Sequence, residues 1–201
     1  DQQDLPSMGA CYFSSTECES PLSEEDCSAF GGTFLGDHSV CPDDVPTDEE
    51  REWIENFGRL QNFDPSNGKL SKRLTLEIAP LKESSLIIIH HHYLHRTRTM
   101  SQLPYWIFID EMPVGVILYS LPRVNVPIDG IEPMKLLELA RLWIHPSVQN
   151  LSYEDRNGKS HYLSVASCAM GKSLRRIKND WKKKYPSLPE VDAIISWSDD
   201  K

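Results

Sequence analysis

Four of the seven histidines fall within six residues: His90, His91, His92 and His95. They close the apolar run Ile87, Ile88, Ile89 and stand beside Tyr93. Imidazole moves protons near neutral pH and ligates transition metals. On a helix, side chains three and four apart share a face. His91 and His95 would therefore stand one above the other, as would His92 and His95. Such a cluster suits general-base chemistry or a metal site, and a solvent-facing helix has no structural need for it. It fits equally a frayed helix end with one histidine packed into a core.

Two other sets of reactive side chains draw notice. Cys11, Cys18, Cys27 and Cys41 lie in one short stretch with Gly31, Gly32 and Gly36. A segment of that length cannot bury an adequate core and needs covalent staples. Two disulfides are expected, with three possible connectivities. The lack of a C-x2-C knuckle argues against zinc, although His38 keeps that option open. Lys172, Arg175, Arg176, Lys178, Lys182, Lys183 and Lys184 crowd one later segment. They could meet phosphates, or simply face water. Arg141 falls in an apolar run, where a buried guanidinium needs a partner such as Glu138 or a substrate phosphate. Cys168, among Ala166, Ser167 and Ala169, reads as a small core residue rather than a nucleophile.

The elements that must position these groups follow from local patterns. Thr47 and Glu50 form a capping box, so a helix starts at residue 48 and carries Trp53, Ile54, Phe57 and Leu60 as its apolar stripe. Asp64, Pro65, Ser66, Asn67 and Gly68 make a turn. Residues 74–78 read as a strand and residues 83 to about 95 as a helix. Residues 105–109 and 114–119 form a hairpin turning at Asp110–Pro113. Residues 136–144 are a strand stopped by Pro146, followed by polar loop. Residues 165–183 form a helix with Ala166, Ala169, Met170, Ile177 and Trp181 inside, halted at Tyr185 and Pro186. Residues 191–197 make the last strand. The order β-α-β-β-β-α-β predicts an α+β or mixed α/β sheet flanked by helices. The expected division is 1–46 for the Cys-rich module and linker, 47–73 for the capped helix and connector, and 74–201 for the main domain.

Charge is unevenly placed. The net charge of −9 hides 15 acidic residues against one basic residue in positions 1–56, and 15 acidic against 20 basic in positions 57–201. The larger part is therefore mildly basic and admits a polyanionic partner, while the head would repel one. No apolar run reaches the ~18 residues that span a bilayer, so no membrane partner is expected.

The element order resembles the front of the GNAT acyltransferase fold, and a narrower resemblance is to the Mom-type family of phage DNA-modification proteins, a divergent branch of it. It runs from about Leu74 to Asp199. Its anchors are His92-Tyr93, Pro113-Val114-Gly115-Val116, Glu138-Leu139-Ala140-Arg141-Leu142, and Tyr185-Pro186 leading to Ile195-Ser196-Trp197-Ser198-Asp199. The resemblance implies a transferase that converts adenine N6 in DNA to a carbamoylmethyl-type derivative and protects phage DNA from restriction. It implies catalytic roles for His92, Tyr93 and Asp199, with DNA contacts expected at Arg141, Lys172, Arg175 and Arg176. It also implies host-cell cytoplasm, an acyl or glycyl donor, and iron as a metal the family has been suspected to use.

The usual acetyl-CoA glycine loop is missing after Trp143-Ile144-His145-Pro146. A GNAT domain would continue past Lys201, so a C-terminally incomplete domain is expected. The head resembles short Cys-rich modules appended to bacterial proteins, through Ser23–Cys27, Gly31-Gly32-Thr33-Phe34 and Gly36. It could dock a protein partner. Its disulfides would suit an oxidising compartment rather than cytoplasm. Two alternatives stay open: an ordinary GNAT N-acyltransferase acting on a small amine, and a non-catalytic binding protein.

Overall fold

The structure, a computed structural model, describes residues 8–14, 17–29, 31–37, 46–59, 63–92, 102–122, 128–149, 151–155 and 157–196. Near the start, β1 (Met8–Ser14), β2 (Glu17–Ser23), the helix α1 (Glu24–Ala29) and β3 (Thr33–Asp37) build a small unit whose sheet order is β2-β1-β3. Cys11 and Cys27 are bonded, tying β1 to α1 across 16 residues. Both are fully buried, with Phe34 packed on them. Closing a loop of that size stabilises a chain by about 3 kcal/mol in the chain-entropy view, which matters where so little apolar surface is available. A Cβ on Gly9 would come 2.0 Å from the Gly36 carbonyl oxygen, so β1 and β3 can approach this closely only with glycine there. Given the Cys11–Cys27 bond, only the connectivity that joins Cys18 to Cys41 remains of the three. Cys18 is on β2, and Cys41 lies outside the described residues.

The helix α2 (Asp48–Asn56) starts at the expected capping box. The Thr47 hydroxyl accepts from the Glu50 N–H at 3.2 Å, and the Glu50 carboxylate accepts from the Thr47 N–H at 2.8 Å. After the short helix α3 (Leu70–Arg73) come β4 (Leu74–Ile78), α4 (Leu81–His91), β5 (Gln102–Ile109), β6 (Met112–Ser120) and β7 (Leu136–Ile144). The single turn α5 (Pro146–Gln149) and the hairpin of β8 (Leu151–Glu154) with β9 (Ser160–Leu163) precede α6 (Val165–Lys184) and β10 (Ala193–Ile195). The main sheet has the order β10-β7-β6-β5-β4. Its neighbours are antiparallel except β10 and β7, which run parallel. The fold is α+β, as the element order predicts.

Helices cover the two faces of this sheet differently. Against α6 lies an aliphatic core that includes Leu74, Leu103, Ile107, Ile117, Leu137, Ala169, Ile177 and Trp181. Against α2 and α4 lies a second core of Ile54, Phe57, Leu86, Ile87, Ile88, Trp106, Val116 and Leu118. The Lys82 ammonium pairs with the Glu50 carboxylate at 2.9 Å, linking α4 to α2.

The β5–β6 hairpin turns on Asp110 and Glu111, both at positive φ (49° and 68°). A tight hairpin needs that backbone to match strand twist, and residues other than glycine enter it at a cost. Here Arg73 holds the turn. Its Nε donates to both Asp110 carboxylate oxygens at 2.9 and 3.1 Å, and its Nη1 to the carbonyls of Asp64 and Asn67.

Several expectations need correction. The helix expected at residues 83 to about 95 begins behind Pro80 and stops at His91. The hairpin strands are longer than expected, and β10 is shorter, ending at Ile195. The stretch read as polar loop after residue 149 holds the β8–β9 hairpin. Its two four-residue strands alternate polar and half-buried residues too briefly to announce themselves.

Candidate functional site

The end of α4 sets the geometry of the histidines. His92 caps the helix: its N–H donates to the Ile88 carbonyl at 2.9 Å while its own backbone turns extended (φ −79°, ψ 138°). His92 is therefore outside the helix, and His95, expected to share its face, lies outside the described residues. Instead it is buried, with 8 % of its surface exposed. His90 faces solvent. His91 is half-buried, and its ring stacks on Trp143 with centroids 4.6 Å apart and planes 17° apart. Its Nε2 lies 2.9 Å from the Ile54 carbonyl of α2. A carbonyl only accepts, so Nε2 carries a proton.

The stack is part of a larger aromatic group. Phe57 packs between Trp53, Trp106 and Trp143, with centroid separations of 5.4, 5.0 and 6.0 Å. His145 also lies edge-on to Trp143, at 5.9 Å. The Ser147 N–H donates to His145 Nδ1 at 3.2 Å, and the Ser147 hydroxyl lies 2.7 Å from the same atom. Nδ1 is thus the acceptor, and the neutral ring carries its proton on Nε2. Burial lowers the His145 pKa, with the positive fields of His91 and Arg59 acting in the same direction. Gly58 (φ +81°) allows the close approach, since a Cβ there would sit 2.7 Å from His145 Cβ.

β7 adds two buried charged groups to this face. Arg141 is 6 % exposed and Glu138 4 %. Three residues apart on a regular strand, they would point to opposite faces. The register slips between them: Leu118 pairs with Arg141, and Ser120 with Glu138. The bulge turns both toward the α4 side, where Leu118 packs. Arg141 Nη1 donates to the Ala140 carbonyl. One face of the sheet therefore carries a buried guanidinium and carboxylate beside a stacked histidine, and the helix that covers this face ends at the buried His92.

The other expected site residues are distributed as follows. Tyr93 and Asp199 lie outside the described residues. β10, which Asp199 follows by four residues in sequence, runs parallel to β7, so its carboxyl end points the same way as the Trp143 end of β7. Arg176, expected to meet DNA, is turned inward. Its Nε donates to the Asp180 carboxylate and its Nη1 to the Leu76 carbonyl at 2.7 Å. Asp180 also accepts from the Tyr105 hydroxyl at 2.9 Å. The guanidinium is thereby tied to β4 and Asp180, while 39 % of the side chain stays exposed. Lys172 and Arg175 remain on the outer flank; both lie near enough to Cys168 to bear on its thiol, whose pKa burial raises. Cys168 packs against the α6 core, as its small-residue surroundings imply.

Among the described residues, no three His, Cys, Asp or Glu side chains converge on a point that would hold a metal ion. No described helix is long and apolar enough to cross a membrane.

Sequence reasoning missed His145 and Trp143. The usable signal was a histidine followed by proline and serine at a strand end, a pattern that caps the next turn. It also left open on which face Glu138 and Arg141 would meet, because a bulge has no reliable signature in a single sequence.

Residues 73–201 match the family model described as the Mom protein family. No curated protein matches the chain. His91, His92, Glu138, Arg141, Trp143 and His145 all fall inside the matched segment, whereas α2 and the disulfide-bonded unit lie before it.

Proposed function

The chain belongs to the Mom protein family, and on that premise we propose that it is a phage-type DNA-modifying enzyme that transfers a carbamoylmethyl-type group to adenine N6. The exocyclic nitrogen is a weak nucleophile because its lone pair is delocalised into the ring. Its alkylation requires loss of a proton while the electrophile is held close. His92 is the base: it takes the N6 proton as the N6–carbon bond forms and the donor's leaving group departs. Tyr93 stacks on the extruded base or hydrogen-bonds to it, and Asp199 orients the base or polarises the amino group. N6 is inaccessible inside a duplex, so the substrate adenine is flipped or single-stranded.

The observation that carries this reading is the buried His92, in the matched segment, at the point where α4 unwinds over the face of Arg141 and Glu138. A histidine run on a solvated helix end gives no reason to bury one member. A GNAT-like course of the sheet is part of the proposal, since β10 lies parallel to β7 at one end of an otherwise antiparallel sheet. The link from β7 to α6 is a turn plus a hairpin rather than one tight loop, so no step is assigned to an acyl-CoA pyrophosphate. Iron is assigned no step either, because Tyr93 and Asp199, the residues that would ligate it, lie outside the described residues. The unit at residues 1–46 is proposed as a separate module, and residues 47–73 as the capped helix and connector. The host cytoplasm is the compartment in which the DNA would be met.

Restriction sensitivity tests the reading. Plasmid DNA from cells expressing the chain should resist endonucleases blocked by bulk at adenine N6. His92→Ala should restore cutting, because loss of a general base costs about 10²–10⁴ in rate. Full cutting of plasmid from cells that hold soluble wild-type protein would sink it.

A further inference from the structure

The β8–β9 hairpin belongs to neither larger sheet and has no part in the chemistry above. It presents Tyr162 with 84 % of its surface exposed, the most exposed large apolar side chain among the described residues. Its next-door residues are well anchored. Leu151 and Leu163, a cross-strand pair at the base, pack against the α6 core. On the same face as Leu151 and Leu163, away from Tyr162, His161 stacks on its cross-strand partner Tyr153, with centroids 5.1 Å and planes 16° apart, and its Nε2 meets the Asp155 carboxylate at 3.0 Å. Asp155 Oδ1 also accepts from the N–H groups of Asn157 and Lys159, fixing the tip. A two-stranded hairpin alone is marginal in water; this one is braced at base, face and tip. A tyrosine held in the open on a braced strand, rather than on a loop, is placed for a flat partner.

Charge identifies that partner. β9 leads directly into α6, with Ser164 as the cap. Along one flank of α6 run Cys168, Lys172, Arg175, Asn179 and Lys182, spaced by four, three, four and three, a single helical stripe. Lys172 and Arg175 lie close enough to each bear on Cys168. A basic helix stripe that can track phosphates, on the helix that directly follows the strand carrying a projecting aromatic ring, combines the two features that hold single-stranded nucleic acid.

We propose that Tyr162 is a DNA-contact residue whose ring stacks on an unpaired base, with the Lys172–Arg175 flank of α6 holding the adjoining phosphates. This rests on the DNA-modifying reading and adds to it the element that grips the strand next to the target. Stacking is insensitive to salt, whereas each phosphate contact contributes about one unit to the salt slope.

The test is a fluorescence titration of the full chain against a single-stranded, adenine-containing oligonucleotide bearing 2-aminopurine, at several salt concentrations. Tyr162→Ala should weaken binding by roughly tenfold, within the range of base–aromatic stacking. It should leave the salt slope unchanged and abolish the 2-aminopurine quench. Tyr162→Phe should bind as wild type, since the ring and not the hydroxyl is used. Lys172→Ala should lower the salt slope. Met134→Ala, another exposed apolar position, should change nothing. If wild type binds and Tyr162→Ala binds equally well, the inference falls while the DNA-modifying reading stands. It falls in the same way if Tyr162→Ala changes only the oligomeric state. If wild type neither binds nor modifies DNA, both fall.

Discussion

The two faces of the five-stranded sheet use polar groups in opposite ways. Under α6 the polar side chains pair within the fold, except the buried Trp181 Nε1, which has no hydrogen-bond partner among the described residues. Asp180 accepts from Tyr105 and Arg176, the Tyr119 hydroxyl lies 2.7 Å from Ser173 Oγ, and the Tyr185 hydroxyl donates to the Gln102 carbonyl at 2.7 Å. Burial raises the pKa of all three tyrosines, and Asp180 reinforces the shift at Tyr105. Under α2 and α4 the aliphatic core also holds aromatic rings and imidazoles, and what orients those imidazoles is stacking, a backbone carbonyl and a capping turn. His91 is held by Trp143 and Ile54, and His145 by its own capping turn. Networks whose members satisfy one another build stability. A face whose imidazoles are gripped by rings and main chain fixes how those imidazoles are turned, which is what proton transfer needs.

That division can be broken in three places. Asp180→Ala should have the largest effect, because it strands the buried Tyr105 hydroxyl and removes the carboxylate that pairs with Arg176. A loss of about 3 kcal/mol is expected from removing one partner of a buried charged network, read by denaturant unfolding. DNA modification per folded molecule should survive; its loss below the unfolding transition would show that the α6 face takes part in the chemistry.

Trp143→Leu should do the reverse. Stability should fall by only about 1 kcal/mol for the lost ring pairs, while modification drops by up to about a hundredfold, the scale of an ångström's misplacement. Equal losses in both would erase the contrast.

The smallest effect concerns pH. His145 has a folded pKa below its unfolded value, so the unfolded chain binds the extra proton first. The stability it contributes is complete above the unfolded histidine pKa and is lost as pH falls below it. His145→Gln should therefore make stability flatter between pH 7 and 5. An unchanged slope would mean that burial there is not felt.

Where the sequence was readable, the signals were local. Thr47 and Glu50 announce their helix because both partners of the capping box lie within four residues. The strands of the main sheet stand out as apolar runs long enough to cross it. The end of α4 was not readable: no Gly or Asn follows His91, and the helix stops because the chain must leave toward β5, a tertiary demand. Arg176 was read only as a DNA contact although Asp180 stands four residues on, the spacing of a helical ion pair. Its second bond, to the Leu76 carbonyl of β4, is what ties that pair into the fold. The aromatic face was hidden for a similar reason, because Phe57, Trp106 and Trp143 come from three separate elements. Tyr93 and Asp199 rest on the family resemblance alone.

Nucleoside mass spectrometry tests the central claim most directly. DNA from cells expressing the chain is digested to nucleosides and compared with DNA from cells expressing His92→Ala at equal soluble level. A deoxyadenosine heavier by a carbamoylmethyl group in place of hydrogen, present with wild type and absent with His92→Ala, is the predicted result. Unmodified deoxyadenosine alone from cells holding folded wild-type protein would contradict the account.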